Sequence, residues 1–163
     1  MGQTHLRDVM IIRTETKSNR GIKFCTTPHI SSKLVLSHSH EKFAQICEKL
    51  KPHTKWTIEY NDTGAICDVL PLRTYTMHGQ LIDIIDITHE RIDKTNPTYR
   101  IILGGQTNSH RVITSDKSQF EIGRQYTIAY QFHSLRYFVV SDIVGIGNGP
   151  LITNERVGLA EIT

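Results

Sequence analysis

Apolar and polar residues alternate with a period of two along much of this chain, and the alternation stops at clusters of Asn, Asp, Gly and Pro. Successive strand side chains point to opposite faces, so this pattern predicts short half-buried β-strands joined by turns. Trp56-Thr57-Ile58-Glu59-Tyr60 alternates, Asn61-Asp62-Thr63-Gly64 supplies turn residues, and Ala65 to Leu70 alternates again, which predicts a hairpin. Ahead of it, strands are predicted over 7–14, 21–27 and 33–37. Glu41 to Leu50 breaks the rhythm: Phe43, Ala44, Cys47 and Leu50 recur at helical spacing, with Ser39 as N-cap and Pro52 ending the pattern. The order is three strands, a helix, two strands.

The second half repeats that order with less helix. Strands are predicted over 81–88, 98–103, 110–114, 125–130 and 135–143, and residues 115–123 leave room for no more than one helical turn. Tyr126-Thr127-Ile128-Ala129-Tyr130 echoes Trp56-Thr57-Ile58-Glu59-Tyr60 at a spacing of 70 residues, and Gly79-Gln80-Leu81-Ile82 echoes Gly149-Pro150-Leu151-Ile152 at the same spacing. A repeat in phase over two segments predicts duplication. The expected division is a first domain over 1–73, a second over 80–146, and a tail over 147–163 that packs loosely or pairs with another surface.

Composition sharpens this picture only a little. The 163 residues contain 38% hydrophobic residues, enough for two small barrels and lean for one large core. The formal net charge of +3 is compatible with a polyanionic partner without requiring one. The three cysteines, Cys25, Cys47 and Cys67, are odd in number, widely spaced and set among apolar residues. They predict neither a disulfide framework nor a zinc site, and point to an intracellular, reducing location, cytoplasmic or nucleoid-associated. No apolar run approaches the roughly 18 residues of a membrane span, so no membrane partner is expected.

Five strands with a helix or loop between the third and fourth resemble the OB fold, a partly open Greek-key barrel. The run 86–91 leading into 99–103, and then Phe120-Glu121-Ile122-Gly123-Arg124-Gln125-Tyr126, resembles the single-stranded-DNA-binding OB domains of the replication protein A kind. An SH3-like barrel, as in WYL-type domains, is the competing resemblance, carried by Ile58, Tyr60, Asp62, Gly64, Pro71, Leu72 and Arg73, although the W-Y-L triplet itself is absent. The expected class is therefore mainly β, two five-stranded OB-like barrels in tandem, the first with one helix.

The OB resemblance implies a ligand groove across the second and third strands of each barrel, flanked by the 1–2 and 4–5 loops. Single strands bind such grooves by stacking bases on aromatic rings while Lys and Arg neutralise phosphates. In the first copy the residues at those places are Lys17, Arg20, Lys23 and Lys33. In the second they are Arg91, Lys94, Tyr99, Arg100, Arg111, Phe132, His133, Arg136 and Tyr137. Tyr99 shares a strand face with Ile101 and Leu103 and fits the core equally well. Phe132 and His133 are the aromatic residues expected in a loop. Trp56 and Tyr60 are expected to be structural.

A chemical reading has less to stand on. His29-Ile30-Ser31 matches one H-x-[ST] motif of two-histidine phosphoesterases, but no second copy exists to place an acid and a base around one phosphate. His38-Ser39-His40 has no evident third metal ligand, and no phosphate loop or nucleophile elbow occurs. The expectation is a non-enzymatic protein with no catalytic residue, metal or cofactor, binding single-stranded nucleic acid, DNA ahead of RNA. A protein–protein adaptor or inhibitor, such as a viral or accessory factor, a homo-oligomer, and a histidine-dependent phosphoesterase are the alternatives.

Overall fold

The computed structural model describes residues 2–17, 21–90, 95–105, 111–134 and 137–147. The chain divides into two compact units, residues 1–73 and 74–163.

The first unit contains β1 (Thr4–Lys17), β2 (Gly21–Thr27), β3 (Leu34–Ser37), α1 (Phe43–Lys49), β4 (Lys55–Asn61) and β5 (Ile66–Leu70). β1 is longer than the predicted 7–14 because it serves two neighbours. Its first half pairs with β4, from Thr4 opposite Asn61 to Met10 opposite Lys55. Its second half pairs with β2, with register shifts between Ile11 and Arg13 and between Thr14 and Thr16. Such irregularities add twist and bend a strand, which lets one strand turn a barrel corner. β3 joins β2, β5 joins β4, and a parallel bridge from Val35 to Ala65, with Val35 N–H donating to the Gly64 carbonyl at 2.9 Å, brings the two outer strands together.

The second unit repeats this plan with β6 (Tyr75–Asp86), β7 (Tyr99–Leu103), β8 (Arg111–Thr114), β9 (Gln125–Ser134) and β10 (Tyr137–Ile146). β6 pairs with β9 through Tyr75 to Gln80, then with β7 through Leu81 to Asp86. β8 and β10 run parallel and close the barrel, with Tyr137 beside Arg111 and Val139 beside Ile113. In both units the first strand lies between the second and the fourth, and the third lies beside the fifth. That is the OB Greek key, and it decides between the two barrels that the sequence suggests.

The 70-residue echo joins equivalent strands, because Trp56–Tyr60 lies in β4 and Tyr126–Tyr130 in β9. Gly79 to Ile82 lies in β6, the first strand of its barrel, while its echo at 149–152 falls outside the described residues, as does most of the predicted tail. The helix spans only 43–49, and no side chain caps its start at Lys42; Ser39 instead bonds Ser37. The 115–123 connection forms one 3-10 turn over Lys117–Gln119, with Asp116 accepting from Ser118 N–H.

Apolar alternation supplies each core. Val9, Ile11, Phe24, Leu34, Leu36, Ile58 and Val69 fill the first barrel, and Ile46 and Leu50 from the helical segment pack onto them. Trp56 is half-buried against this core, its indole N–H shared between the Lys49 carbonyl at 3.0 Å and Thr54 Oγ1 at 2.9 Å. Leu81, Ile101, Leu103, Val112, Tyr126 and Ile128 are buried in the second barrel. Truncating one such side chain to alanine costs about 2–5 kcal/mol.

Candidate functional site

A cleft in the first unit opens where β1 begins, β4 ends and β3 begins. It is lined by His5, Arg7, Ser32, Lys33, Tyr60 and the turn Asn61–Gly64, and encloses about 320 Å³. Strand geometry places its members. His5 stands directly opposite Tyr60, and Arg7 follows His5 on the same face of β1. The rings of His5 and Tyr60 lie 5.4 Å apart, and the Arg7 guanidinium sits 4.4 Å from the Tyr60 centroid. Arg7 also donates to the Ser32 carbonyl at 3.2 Å, to Ser32 Oγ at 3.4 Å and to the Tyr60 hydroxyl at 3.2 Å. A planar cation fixed on a ring keeps its charge while losing the freedom that binding would otherwise remove.

The wall opposite is a built turn. Asn61 Oδ1 accepts from Thr63 N–H, Thr63 Oγ1 and Ala65 N–H, and Gly64 takes a φ of +86° that other residues rarely adopt. This turn presents Asp62, whose Oδ1 lies 2.6 Å from His5 Nε2 and whose Oδ2 accepts from Gln3 N–H at 3.4 Å. The bond from His5 first, and that from Gln3 second, hold the Asp62 carboxyl below its ordinary value. His29, in the neighbouring 2–3 loop, is held below the ordinary histidine value by burial first and by the Arg7 charge second.

Of the predicted first-copy residues, Lys33 belongs to the cleft. Lys33 lines it and donates to the Ile30 carbonyl at 2.7 Å, with Cys25 Sγ 3.8 Å away. Lys23 is exposed on β2 directly opposite Val35, two residues beyond Lys33 on the same side of the chain. Lys33 therefore shares the cleft with Arg7, whereas Lys23 stands on β2 and is not among the residues that line it. Lys17 is at the end of β1, where only its backbone is described, and Arg20 lies outside the described residues.

In the second unit, Arg100 stands opposite Ile113 and Ile85, and Arg111 is two residues from Ile113 beside Tyr137, so Arg100, Arg111 and Tyr137 share the outer face. Their surroundings correct the groove expected there. Tyr137 is buried with Ile87, Ile113 and Val139, and its hydroxyl donates to Glu90 at 3.0 Å, so its ring has no open face for a base. Phe132 lies within β9 rather than in a loop, because β9 runs on to Ser134; it is only 3% exposed and packs edge-on against Phe138. His133 also lies in β9, half-buried, its Nδ1 3.0 Å from Ser134 Oγ. Tyr99 is half-buried at the end of β7, with the Lys117 ammonium 5.1 Å from its ring. Arg91, Lys94 and Arg136 lie outside the described residues. A second cleft, lined by Thr114, Ser115, Asp116, Gln119, Ser141 and Asp142, is acidic and hydroxyl-rich, the wrong sign for a polyanion.

The histidine segment disperses in the fold. His40 spends both ring nitrogens on backbone, near the Cys67 carbonyl at 2.8 Å and accepting from Lys42 N–H at 2.9 Å, and His38 packs against Phe43. No group of three metal-ligating side chains occurs among the described residues. No helix among them is long and apolar enough to cross a membrane.

Arg7, His5 and Tyr60 were not legible as site residues. Arg7 opens an apolar run and reads as strand, and Tyr60 reads as hairpin core. The one available signal was the turn 61–64, since OB ligands meet the 4–5 loop.

No protein-family model matches the chain, and no curated protein matches it in sequence. Among solved structures the chain is similar to one described as the crystal structure of the tetrameric p202 HIN2, with a TM-score of 0.28 and 10% identity, over 88% of this chain and 94% of that one. The assignment of both barrels rests on strand order and register, not on this likeness.

Proposed function

We propose that this protein binds single-stranded nucleic acid, DNA ahead of RNA, without catalysis and with little sequence preference, and that the first barrel carries the main site. The observation that carries this reading is the Arg7 guanidinium 4.4 Å from the Tyr60 ring centroid in a cleft that Lys33 also lines. Such a platform stacks a base of any identity, while Lys23 and Lys33 meet the phosphates on either side. Arg100 and Arg111 on the second barrel add phosphate contacts without a stacking ring. Fluorescence anisotropy of a labelled oligonucleotide at rising salt tests the proposal. Affinity falls steeply with salt, with a slope of about −0.7 for each phosphate contact. Absence of binding at low salt overturns it.

A protein partner is the second reading, favoured by one observation. Ile82 and Ile122 flank the hydrogen bond from Gly123 N–H to the Leu81 carbonyl, and both are more than half exposed. Val144, Ile85 and Ile146 of the same barrel are exposed as well, and exposed apolar side chains are a protein-binding cue. Replacing Ile82 and Ile122 with serine separates the readings: strand binding survives, while association with a protein partner or with a second copy is lost.

A further inference from the structure

We propose that His5 is a phosphate ligand of the first barrel and that Asp62 is an internal stand-in for the phosphate, which a bound strand displaces; this rests on the strand-binding reading above. The geometry supports both halves. Among the charged side chains lining the cleft, Arg7 and Lys33 are cations, His5 becomes one when protonated, and Asp62 is the anion. Asp62 reaches from the 4–5 turn to His5 on the neighbouring strand β1 at 2.6 Å, the spacing a phosphate oxygen would take on the same imidazole. Its second oxygen takes the Gln3 N–H, so the carboxylate bonds one side chain and one backbone donor, as a strand phosphate can.

The turn that holds Asp62 is fixed by Asn61 and Gly64 independently of His5, so releasing the contact does not require the turn to unfold. The side chains of His5 and Asp62 are 42% and 58% exposed, so the contact is weak enough for a ligand to open. A second consequence is selectivity. While Asp62 faces the cleft it repels any anion that does not bring enough contacts of its own to replace it. A strand meeting Arg7 and Lys33 together does so; a single free anion does so poorly.

Removing the carboxylate therefore tightens strand binding, which is the opposite of what loss of a direct ligand does. In Asp62→Asn, affinity for a labelled oligonucleotide rises about three- to fivefold, the span of a weak exposed ion pair. In His5→Gln it falls, and adding Asp62→Asn to His5→Gln restores less than the single change gains. Unchanged or weaker binding in Asp62→Asn overturns the proposal, as does a full gain in the double variant. Asp62→Ser repeats the test without the amide.

The groups facing His5 are Asp62 from the turn, Tyr60 from β4, Arg7 from β1 and Lys33 from the start of β3, with His29 near Arg7. Inorganic phosphate followed at the His5 ring resonances tests the device without any strand. Saturation at lower phosphate in Asp62→Asn than in the unaltered protein is expected, and no shift in either overturns the proposal. If the unaltered protein shows this response yet binds no oligonucleotide, the strand-binding reading fails and the anion device stands.

Discussion

Tyr60 and Tyr130 occupy the same place in the two barrels, and Tyr60 lines a cleft whereas Tyr130 is buried. Each lies on the fourth strand of its unit, opposite the first strand: Tyr60 opposite His5, and Tyr130 opposite Tyr75. The ring contacts match, at 5.4 Å and 5.5 Å. The difference comes from the next position along the first strand and from the strand that follows. Arg7 stands opposite Ile58 where Met77 stands opposite Ile128. A guanidinium resists burial, so the first barrel stays open at that end. Met77 is buried, and Phe138 packs edge-on against both Tyr75 and Tyr130, so the second barrel closes there.

Arg7→Lys should separate stacking from charge. It keeps one positive charge but loses the planar fork and the bonds to Ser32. Strand affinity should fall about tenfold, with the salt slope nearly unchanged, whereas thermal stability should change by no more than about 1 kcal/mol. Anisotropy and a melting curve on the same sample check both.

Charge reversal should rank the barrels. Lys23→Glu with Lys33→Glu should weaken strand binding more than Arg100→Glu with Arg111→Glu, because Lys33 lines the same cleft as Arg7 and Tyr60. Each pair should reduce the salt slope by about 1.4 if both members meet phosphate. An equal or reversed ranking argues for the face on the second barrel.

Phe132→Ala should destabilise the second unit by about 3–5 kcal/mol, with strand affinity unchanged in the fraction that remains folded. A stacking residue in a loop would show the reverse, full stability with weakened binding. Denaturant unfolding and anisotropy at low temperature distinguish the two.

Stability should decline with acid in two windows. His29 is held below 6.5 in the fold, by burial first and Arg7 second, so its stabilisation is complete above that value and is lost as the pH falls through the lower folded one. Asp62, Asp86 and Asp116 are held below 3.8, chiefly by hydrogen bonds from His5, Thr88 and Ser118, so their contributions are complete above 3.8 and disappear below it. Melting temperatures from pH 7 to 2.5 should therefore show a shallow early fall that His29→Gln removes. A later fall should be reduced by Asp116→Ala, which leaves the early one in place.

Much of the barrel plan was legible because it rests on local pattern. Alternation marked the strands, the turn at 61–64 marked the hairpin, and the echo between Thr57 and Thr127 paired strands that prove equivalent. Strand ends were less legible. β1 and β6 outrun their apolar runs because each pairs with two neighbours at once, and polar residues such as Thr4, His5 and Thr76 are held by ladder bonds rather than by burial. The site was hardest to see. Phe132 was drawn into the packing by a strand longer than its hydrophobic signal, Tyr137 by its neighbours Ile87 and Ile113, and neighbours across the sheet decide burial.

The sequence by itself determined the class, mainly β in two similar halves, since hydrophobic period and turn chemistry are properties of neighbouring residues. Which of two aromatic positions stays open was decided only by tertiary structure. That outcome depends on Arg7 meeting Tyr60 from 53 residues away and on Asp62 reaching His5 from 57. Contacts at that separation leave no periodic trace along the chain, and the pairing of β1 with β4 brings them together.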